Sequence, residues 1–307
     1  MSEPALALFA YNRPVHTRLV LEGLRKNGIS RLHVFHDGLK PGYPSAPHEE
    51  VKALLAQIDF CEVKVVRREE NRGLAGSIVS GVGELLAAHE SVIVLEDDCV
   101  PSSKFVELMS SLLSRYRDQP RVFAVSGYAP PGLPEDYPYD ICFSPLSSSW
   151  GWATWRDRWA RYDPLATGWQ EVLETPTLRA RFDAPGKFFS RLLRQQMTQG
   201  ADSWAIRWYY ALYKNQGVCA WPIRSFIDNI GSDGSGVHGD TTDQFAVQLC
   251  EELDASHLRV PPTLEFDPRI QRLFQSKWPG RSLAGTLRQA VSPKAWHALL
   301  SRKLRAW

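Results

Sequence analysis

A chain of 307 residues, 44% hydrophobic and 23% charged, has the length for a well-buried core and the composition of a globular protein. Its formal net charge of +2 gives no global field for nucleic acid, and no run nears the roughly 20 apolar residues that cross a bilayer. The start, Met1-Ser2-Glu3-Pro4, has neither the basic nor the apolar region of a secretion signal. Cys61, Cys99, Cys142, Cys219 and Cys250 are widely spaced and form no CxxC, which predicts free thiols in a reducing cytoplasm and no structural zinc.

In chain order, residues 6–11 are an apolar, strand-like run that ends at Asn12-Arg13-Pro14, a turn opening a helix around Leu19, Leu21 and Leu24. Residues 32–35 predict a second strand, halted by His36-Asp37-Gly38. A polar loop, a helix near 51–58 and a third strand at Val63, Val65 and Val66 follow. Asn71-Arg72-Gly73 then leads into an apolar helix over 74–88. A fourth strand at 92–95 runs into Glu96-Asp97-Asp98, before a helix near 103–116 and a strand at 122–125. This alternation predicts an α/β fold, an open and mainly parallel twisted sheet flanked by helices. Ligands bind such sheets beyond the carboxyl ends of the strands, so the polar clusters at 11–13, 36–38, 71–73 and 96–98 should converge on one crevice.

Regularity is lost over 128–170, where Pro130, Pro131, Pro134 and Pro138 stiffen a loop. An aromatic cluster, Trp150-Gly151-Trp152 with Trp155 and Trp159, follows. Helical patterns return near 188–197 and 204–215, and residues 227–237 read as a mobile Gly/Ser/Asp loop ending at His238. There is no repeat and no linker, so residues 1–265 read as one domain and 266–307 as a tail.

Three adjacent acids where an apolar strand leaves the core repel each other unless something positive compensates them. Strand alternation would put Glu96 and Asp98 on one side and Asp97 on the other. A hard cation, Mn²⁺ or Mg²⁺, takes oxygen ligands and keeps positions open for phosphate. The alternative is a solvated strand end that caps the next helix near Ser102 and Ser103. Cys99 beside them reads as a small packed thiol. Asp37 suits a base N–H or ribose hydroxyl, and Arg13 and Arg72 suit phosphate; turn residues and surface ion pairs are the alternatives. No GxGxxG follows the first strand and no GxxxxGK[ST] occurs, which removes the main support for dinucleotide-binding and P-loop readings.

With these residues in place, the chain resembles the GT-A glycosyltransferases, and within them the group that includes Golgi N-acetylglucosaminyltransferase I, over residues 5–245 and in order. Glu96-Asp97-Asp98 is similar to the family's acidic metal triplet, which implies Asp98 as the metal ligand. His36-Asp37-Gly38 matches the position of an acid that contacts uracil. Trp150-Gly151-Trp152 resembles a Gly-Trp helix start on the acceptor side, and residues 231–239 a glycine-rich loop over the donor. Asp202-Ser203-Trp204 resembles an Asp-Asp-Trp whose first acid is the catalytic base, although Ser203 replaces the second acid.

The resemblance implies a GT-A, Rossmann-like fold with a nucleotide-sugar-binding half at 1–127 and an acceptor-side half at 128–265. It implies a metal-dependent hexosyl- or N-acetylhexosaminyltransferase, inverting, using a UDP-sugar, with Asp202 as base and Asp98 and His238 at the metal. The donor side would comprise Ala10, Tyr11, Arg13, Asp37, Arg72, Glu96, Asp97, Trp150 and Gly151. Alternatives stay open: Asp202 as a helix cap, His238 as a solvated side chain, and the tryptophans as core rather than as platforms for an acceptor sugar. A nucleotidyltransferase would share sheet and cation but shows a glycine-rich first loop, where Ala10-Tyr11-Asn12-Arg13-Pro14 stands here. A glycan-binding module would explain the tryptophans and not the acids.

The tail carries Leu283, Leu287, Ala290 and Val291, then, beyond Pro293, Trp296, Leu299, Leu300, Leu304 and Trp307 at helical spacing. Among them lie Arg281, Arg288, Lys294, Arg302, Lys303 and Arg305, without an acid. That is the pattern of a helix lying on an anionic membrane surface, with docking on the domain as the alternative. On the membrane reading the protein is cytoplasmic and peripheral at the inner face, and its acceptor is a lipid-linked glycan of cell-surface polysaccharide or lipopolysaccharide synthesis.

Overall fold

In chain order the elements are β1 (Ala5–Ala10), α1 (Pro14–Arg25), β2 (Arg31–His36), α2 (Ser45–Ala56), β3 (Glu62–Arg67), α3 (Gly73–Ala88), β4 (Ser91–Glu96), β5 (Cys99–Pro101), α4 (Phe105–Arg115) and β6 (Val122–Ser126). Then come β7 (Ile141–Ser144), β8 (Trp152–Trp155), α5 (Arg156–Trp159), α6 (Trp169–Glu174), α7 (Pro176–Phe182), α8 (Phe188–Gln199), α9 (Trp204–Lys214), β9 (Val218–Pro222), β10 (Ile227–Asn229) and α10 (Pro268–Lys277). The structure, a computed structural model, describes residues 3–200, 203–233 and 244–278.

Among the described residues, eight strands form one mixed sheet in the order β3-β2-β1-β4-β8-β6-β9-β7. It is parallel from β3 through β4 and again between β6 and β9, and antiparallel where β8 and β7 enter. This is the open α/β sheet that the strand–helix alternation predicts. Every residue of β1 is buried, on both faces of the pleat, which is why the strand reads as an unbroken apolar run. α3 reaches the sheet closely because Gly81 sits over the stacked rings of Phe9 and Phe35; a Cβ there would lie 2.7 Å from Phe9. Pro14 opens α1, where its missing N–H would have no helical partner anyway.

Several expectations need correction. The tryptophan run is not a helix start: Trp152–Trp155 is strand β8, paired antiparallel with β4, and the short α5 begins only at Arg156. Trp152 is fully buried, stacked on Trp204 at 4.8 Å and packed against Trp159 and Trp208. A ring of this size buries about 150–250 Å² and contributes roughly 4–6 kcal/mol at about 25 cal/mol/Å². Core packing therefore outcompetes any role for Trp152 at a wet site. The stretch from residue 227 does not open as a loop: β10 pairs with β5, and a 3-10 turn follows at Ile230–Asp233. The packed chain also continues past residue 265, because α10 buries Ile270 and Phe274, and Trp278 lies against Phe189, Phe245 and Phe274. The basic stretch 279–307 lies outside the described residues.

Candidate active site

From β1 the chain steps outward to β2 and β3 on one side, and β4 takes the other side. Between β1 and β4 the strand order therefore reverses, the place where open α/β sheets form their ligand crevice. Around this seam the predicted clusters meet. The Tyr11 N–H donates to Asp97 Oδ2 at 3.0 Å, and Arg13 Nη1 pairs with Asp98 Oδ2 at 2.9 Å. One strand outward, Asp37 N–H donates to Ala10 O at 3.2 Å, and Asn71 Nδ2 to Gly38 O at 2.8 Å.

The acids do not continue β4. The strand ends at Glu96, and Asp97 and Asp98 form the turn into β5, so strand alternation does not govern where they point. Burial, together with the charges of Asp98 and Asp97, pushes the Glu96 carboxyl well up, against hydrogen bonding by the Trp204 side chain. Asp97 is pushed up to about 7 by burial and by Asp98, with the Tyr11 N–H and Arg13 opposing. Burial and mutual repulsion therefore both disfavour three ionised carboxylates here, and a bound cation would favour their charged forms. Of the three, Arg13 pairs with Asp98, and it also reaches Asp233 Oδ1 at 3.4 Å, with His16 Nε2 3.2 Å from Asp233 Oδ2.

Among the described residues, no group of three or more His, Cys, Asp or Glu side chains is gathered to hold a metal. A cage made by protein alone does not fit. An acid turn with Asp98 part-exposed does fit a hard cation that takes one or two carboxylates and completes its shell with phosphate and water.

Asp37 bonds main-chain donors. It is buried, and its carboxylate accepts the N–H of Arg72 at 3.0 and 3.1 Å, with the N–H groups of Gly38 and Gly73 also bonded to it. It thereby closes the first turn of α3, and burial still raises its pKa against these bonds. Arg72 is the exposed residue preceding that helix. Ala10 is a buried strand end. His36 is buried with Nε2 3.0 Å from Tyr11 O and its ring stacked on His48 at 4.2 Å.

Gly151 serves packing. Its φ of +57° lies in the left-handed region, and a Cβ there would sit 2.4 Å from Ile227. Trp150, half-buried, packs edge-on against Tyr128 at 4.7 Å and Phe245 at 5.4 Å. Cys99 is a buried thiol beside Asp98, as expected, and all five cysteines are free. Asp202 and His238 lie outside the described residues. Trp204, two residues further along the chain, opens α9 and reaches Glu96.

Four residues around the acid turn, Asn229, Gly231, His16 and Asp233, make contacts that sequence reading does not assign. Asn229 Nδ2 donates to Asp98 Oδ1 at 3.2 Å and its Oδ1 accepts the Gly231 N–H at 3.1 Å, so it ties the acid turn to the 3-10 turn. A Cβ on Gly231 would lie 2.3 Å from Asp98 Oδ2, so a side chain there would displace the Asp98 carboxylate. His16 and Asp233 complete the Arg13 cluster, and Asp228 lies on the other side of β10 from Asn229. The sole signal for Asp228 and Asn229 is a Gly/Ser/Asp-rich composition, which reads as loop, whereas Asp233 falls within the stretch 231–239 that resembles a donor loop.

No protein-family model and no curated protein matches the chain. Among solved structures it is similar to a mannosyltransferase from Pyrobaculum calidifontis in complex with GDP-Man and Mn²⁺, at 14% identity and a TM-score of 0.37, covering 69% of this chain and 74% of that one. It is also similar to 4-diphosphocytidyl-2C-methyl-D-erythritol synthase from Anaerococcus prevotii, at 11% identity and a TM-score of 0.33, covering 57% of this chain and 77% of that one. At these values neither likeness bears on what the chain does.

Proposed function

We propose that the chain is a GT-A type glycosyltransferase that moves a sugar from a nucleotide-sugar, UDP-linked on the sequence resemblance, to an acceptor hydroxyl. The observation that carries this reading is the meeting of Tyr11 and Arg13 with Asp97 and Asp98 at the seam between β1 and β4. Three adjacent carboxyls at a strand end, beside the guanidinium of Arg13, suit a cation and a diphosphate together. Asp98 would hold Mn²⁺ or Mg²⁺, and such a cation, when bound, neutralises charge on the departing diphosphate. Asn229 and Gly231 keep the Asp98 carboxylate in one orientation, and Tyr11 fixes the turn. Arg13 can pass from Asp98 to phosphate without leaving the site. Asp202 as the base of an inverting displacement, and His238 as a further metal or phosphate contact, enter on the resemblance.

Calorimetry with a panel of nucleotide-sugars, in Mn²⁺ and in EDTA, tests the reading. At least one donor should bind only with the cation, and wild type should hydrolyse it slowly without an acceptor. Asp98→Asn should lose that donor binding even in Mn²⁺. Equal affinity in EDTA would remove the metal, and failure of every donor to bind would remove the transferase.

A further inference from the structure

Asp98 holds its carboxylate among fixed partners. Oδ1 accepts from Asn229 Nδ2 at 3.2 Å and lies 3.5 Å from Cys99 Sγ. Oδ2 accepts from Arg13 Nη1 at 2.9 Å, and Gly231 closes on the same oxygen, where a Cβ would lie 2.3 Å away. The Arg13 and Asp98 side chains are only 14% and 18% exposed, so their attraction is weakly screened. The carboxylate that suits a metal cation is therefore already paired with a cation of the chain itself.

Arg13 also has a second hold. Its Nη2 lies 3.0 Å from His16 Nε2 and 3.4 Å from Asp233 Oδ1, in the 3-10 turn after β10. Its main chain is anchored separately, since the Arg13 carbonyl accepts the Thr17 N–H and the Thr17 hydroxyl, both at 2.9 Å. Release of Asp98 by Nη1 therefore needs rotation of the side chain and no shift of the backbone. A dication on Asp98 Oδ2 and a guanidinium 2.9 Å from that oxygen repel each other, strongly so where screening is weak. The two cations compete for one carboxylate. A diphosphate ends the competition, because it offers Arg13 a bidentate anionic partner and brings further oxygens to the metal.

We propose that Arg13 is the resident counter-ion of Asp98 and keeps a divalent cation off it until a diphosphate draws the guanidinium away. The proposal rests on the transferase reading and adds a condition to it: cation and diphosphate enter as a pair, and the cation alone binds poorly. Its apparent affinity is lowered by the fraction of chains in which Arg13 covers Asp98. Linkage makes the effect reciprocal, so each of the two tightens the other by one common factor. Arg13 is a positioning residue for the metal in addition to its contact with phosphate.

Titration of the full chain with Mn²⁺ alone, followed by the electron paramagnetic resonance of unbound Mn²⁺, tests this without a donor. Arg13→Gln, which keeps a polar side chain and removes the charge, should bind Mn²⁺ about tenfold or more tighter than wild type, the range of one charge-assisted hydrogen bond. Adding Asp98→Asn to that variant should abolish the gain. Arg18→Gln removes an exposed charge of α1 whose partner is Glu50, and should leave Mn²⁺ affinity at the wild-type level. Equal affinity in wild type and Arg13→Gln, an equal gain in Arg18→Gln, or a gain that survives Asp98→Asn overturns the proposal. Should Arg13→Gln not fold, nitrogen NMR of the wild-type guanidinium carries the test, with Mg²⁺ as the probe. The Arg13 signal should stay in place with Mg²⁺ alone and move once UDP is bound as well. Movement with Mg²⁺ alone, or none with both bound, overturns it. Failure of every nucleotide-sugar to bind wild type strikes the transferase reading instead, so the two failures are distinguishable.

Discussion

The main-chain N–H of Tyr11 donates to the carboxylate of Asp97 at 3.0 Å, joining the end of β1 to the turn that follows β4. Through this bond the first strand fixes the acid turn, and Arg13, two residues on, supplies the positive charge that faces Asp98. Main chain positions and side chain neutralises, so the two tasks fail separately under mutation.

Asp202→Asn should lower turnover by about 10²–10⁴-fold, the usual contribution of a general base, with donor affinity and melting temperature nearly unchanged. Steady-state kinetics beside calorimetry and thermal melting checks this. Retained turnover together with a stability loss of about 1 kcal/mol would make Asp202 a helix cap instead.

Asp37→Ala should cost about 1–3 kcal/mol of stability, because the Arg72 N–H loses its acceptor where α3 begins. Denaturant unfolding measures the loss. Discrimination between UDP- and GDP-sugars should survive in this variant. An unchanged midpoint with lost base selectivity would instead return Asp37 to the donor.

Burial holds the His36 imidazole down to about 4 from an ordinary 6.5, against its hydrogen bond with the Tyr11 carbonyl. Between these values the unfolded chain binds a proton at this residue that the folded chain does not. Stability should therefore fall as pH drops from about 6.5 to about 4 and take no further change from this group below that. Melting curves of wild type and His36→Gln over this window decide it; equal slopes would exclude His36 as the source.

A chain ending near Pro279 should stay folded and lose co-sedimentation with anionic vesicles, whereas the full chain should bind them and be released by high salt. The packing of Ile270, Phe274 and Trp278 gives the shortened chain a natural end. No sedimentation of the full chain, with unfolding of the shortened one, would assign the tail to the fold.

The alternation of apolar runs and amphipathic helices as far as residue 125 was readable in the sequence because its cause is local: side chains of one segment bury on one face or two. Convergence of the polar clusters follows from it, since parallel strands bring their carboxyl ends to one edge. What the acids do there depends on partners far away in the chain. Asp97 meets Tyr11 across 86 residues and Asp98 meets Asn229 across 131, and no sequence window contains both members. The tryptophan run at 150–155 has the composition of a packed helix start as much as of a strand, and only pairing with β4 decided for the strand. Asp37 would serve a ribose or a helix equally well by residue type, and the arrival of α3 beside β2 gave its carboxylate to Arg72. Asp228 and Asn229, neighbours in a stretch composed like a loop, were sent to opposite faces of β10 by its pairing with β5, because a strand alternates its side chains and a loop does not.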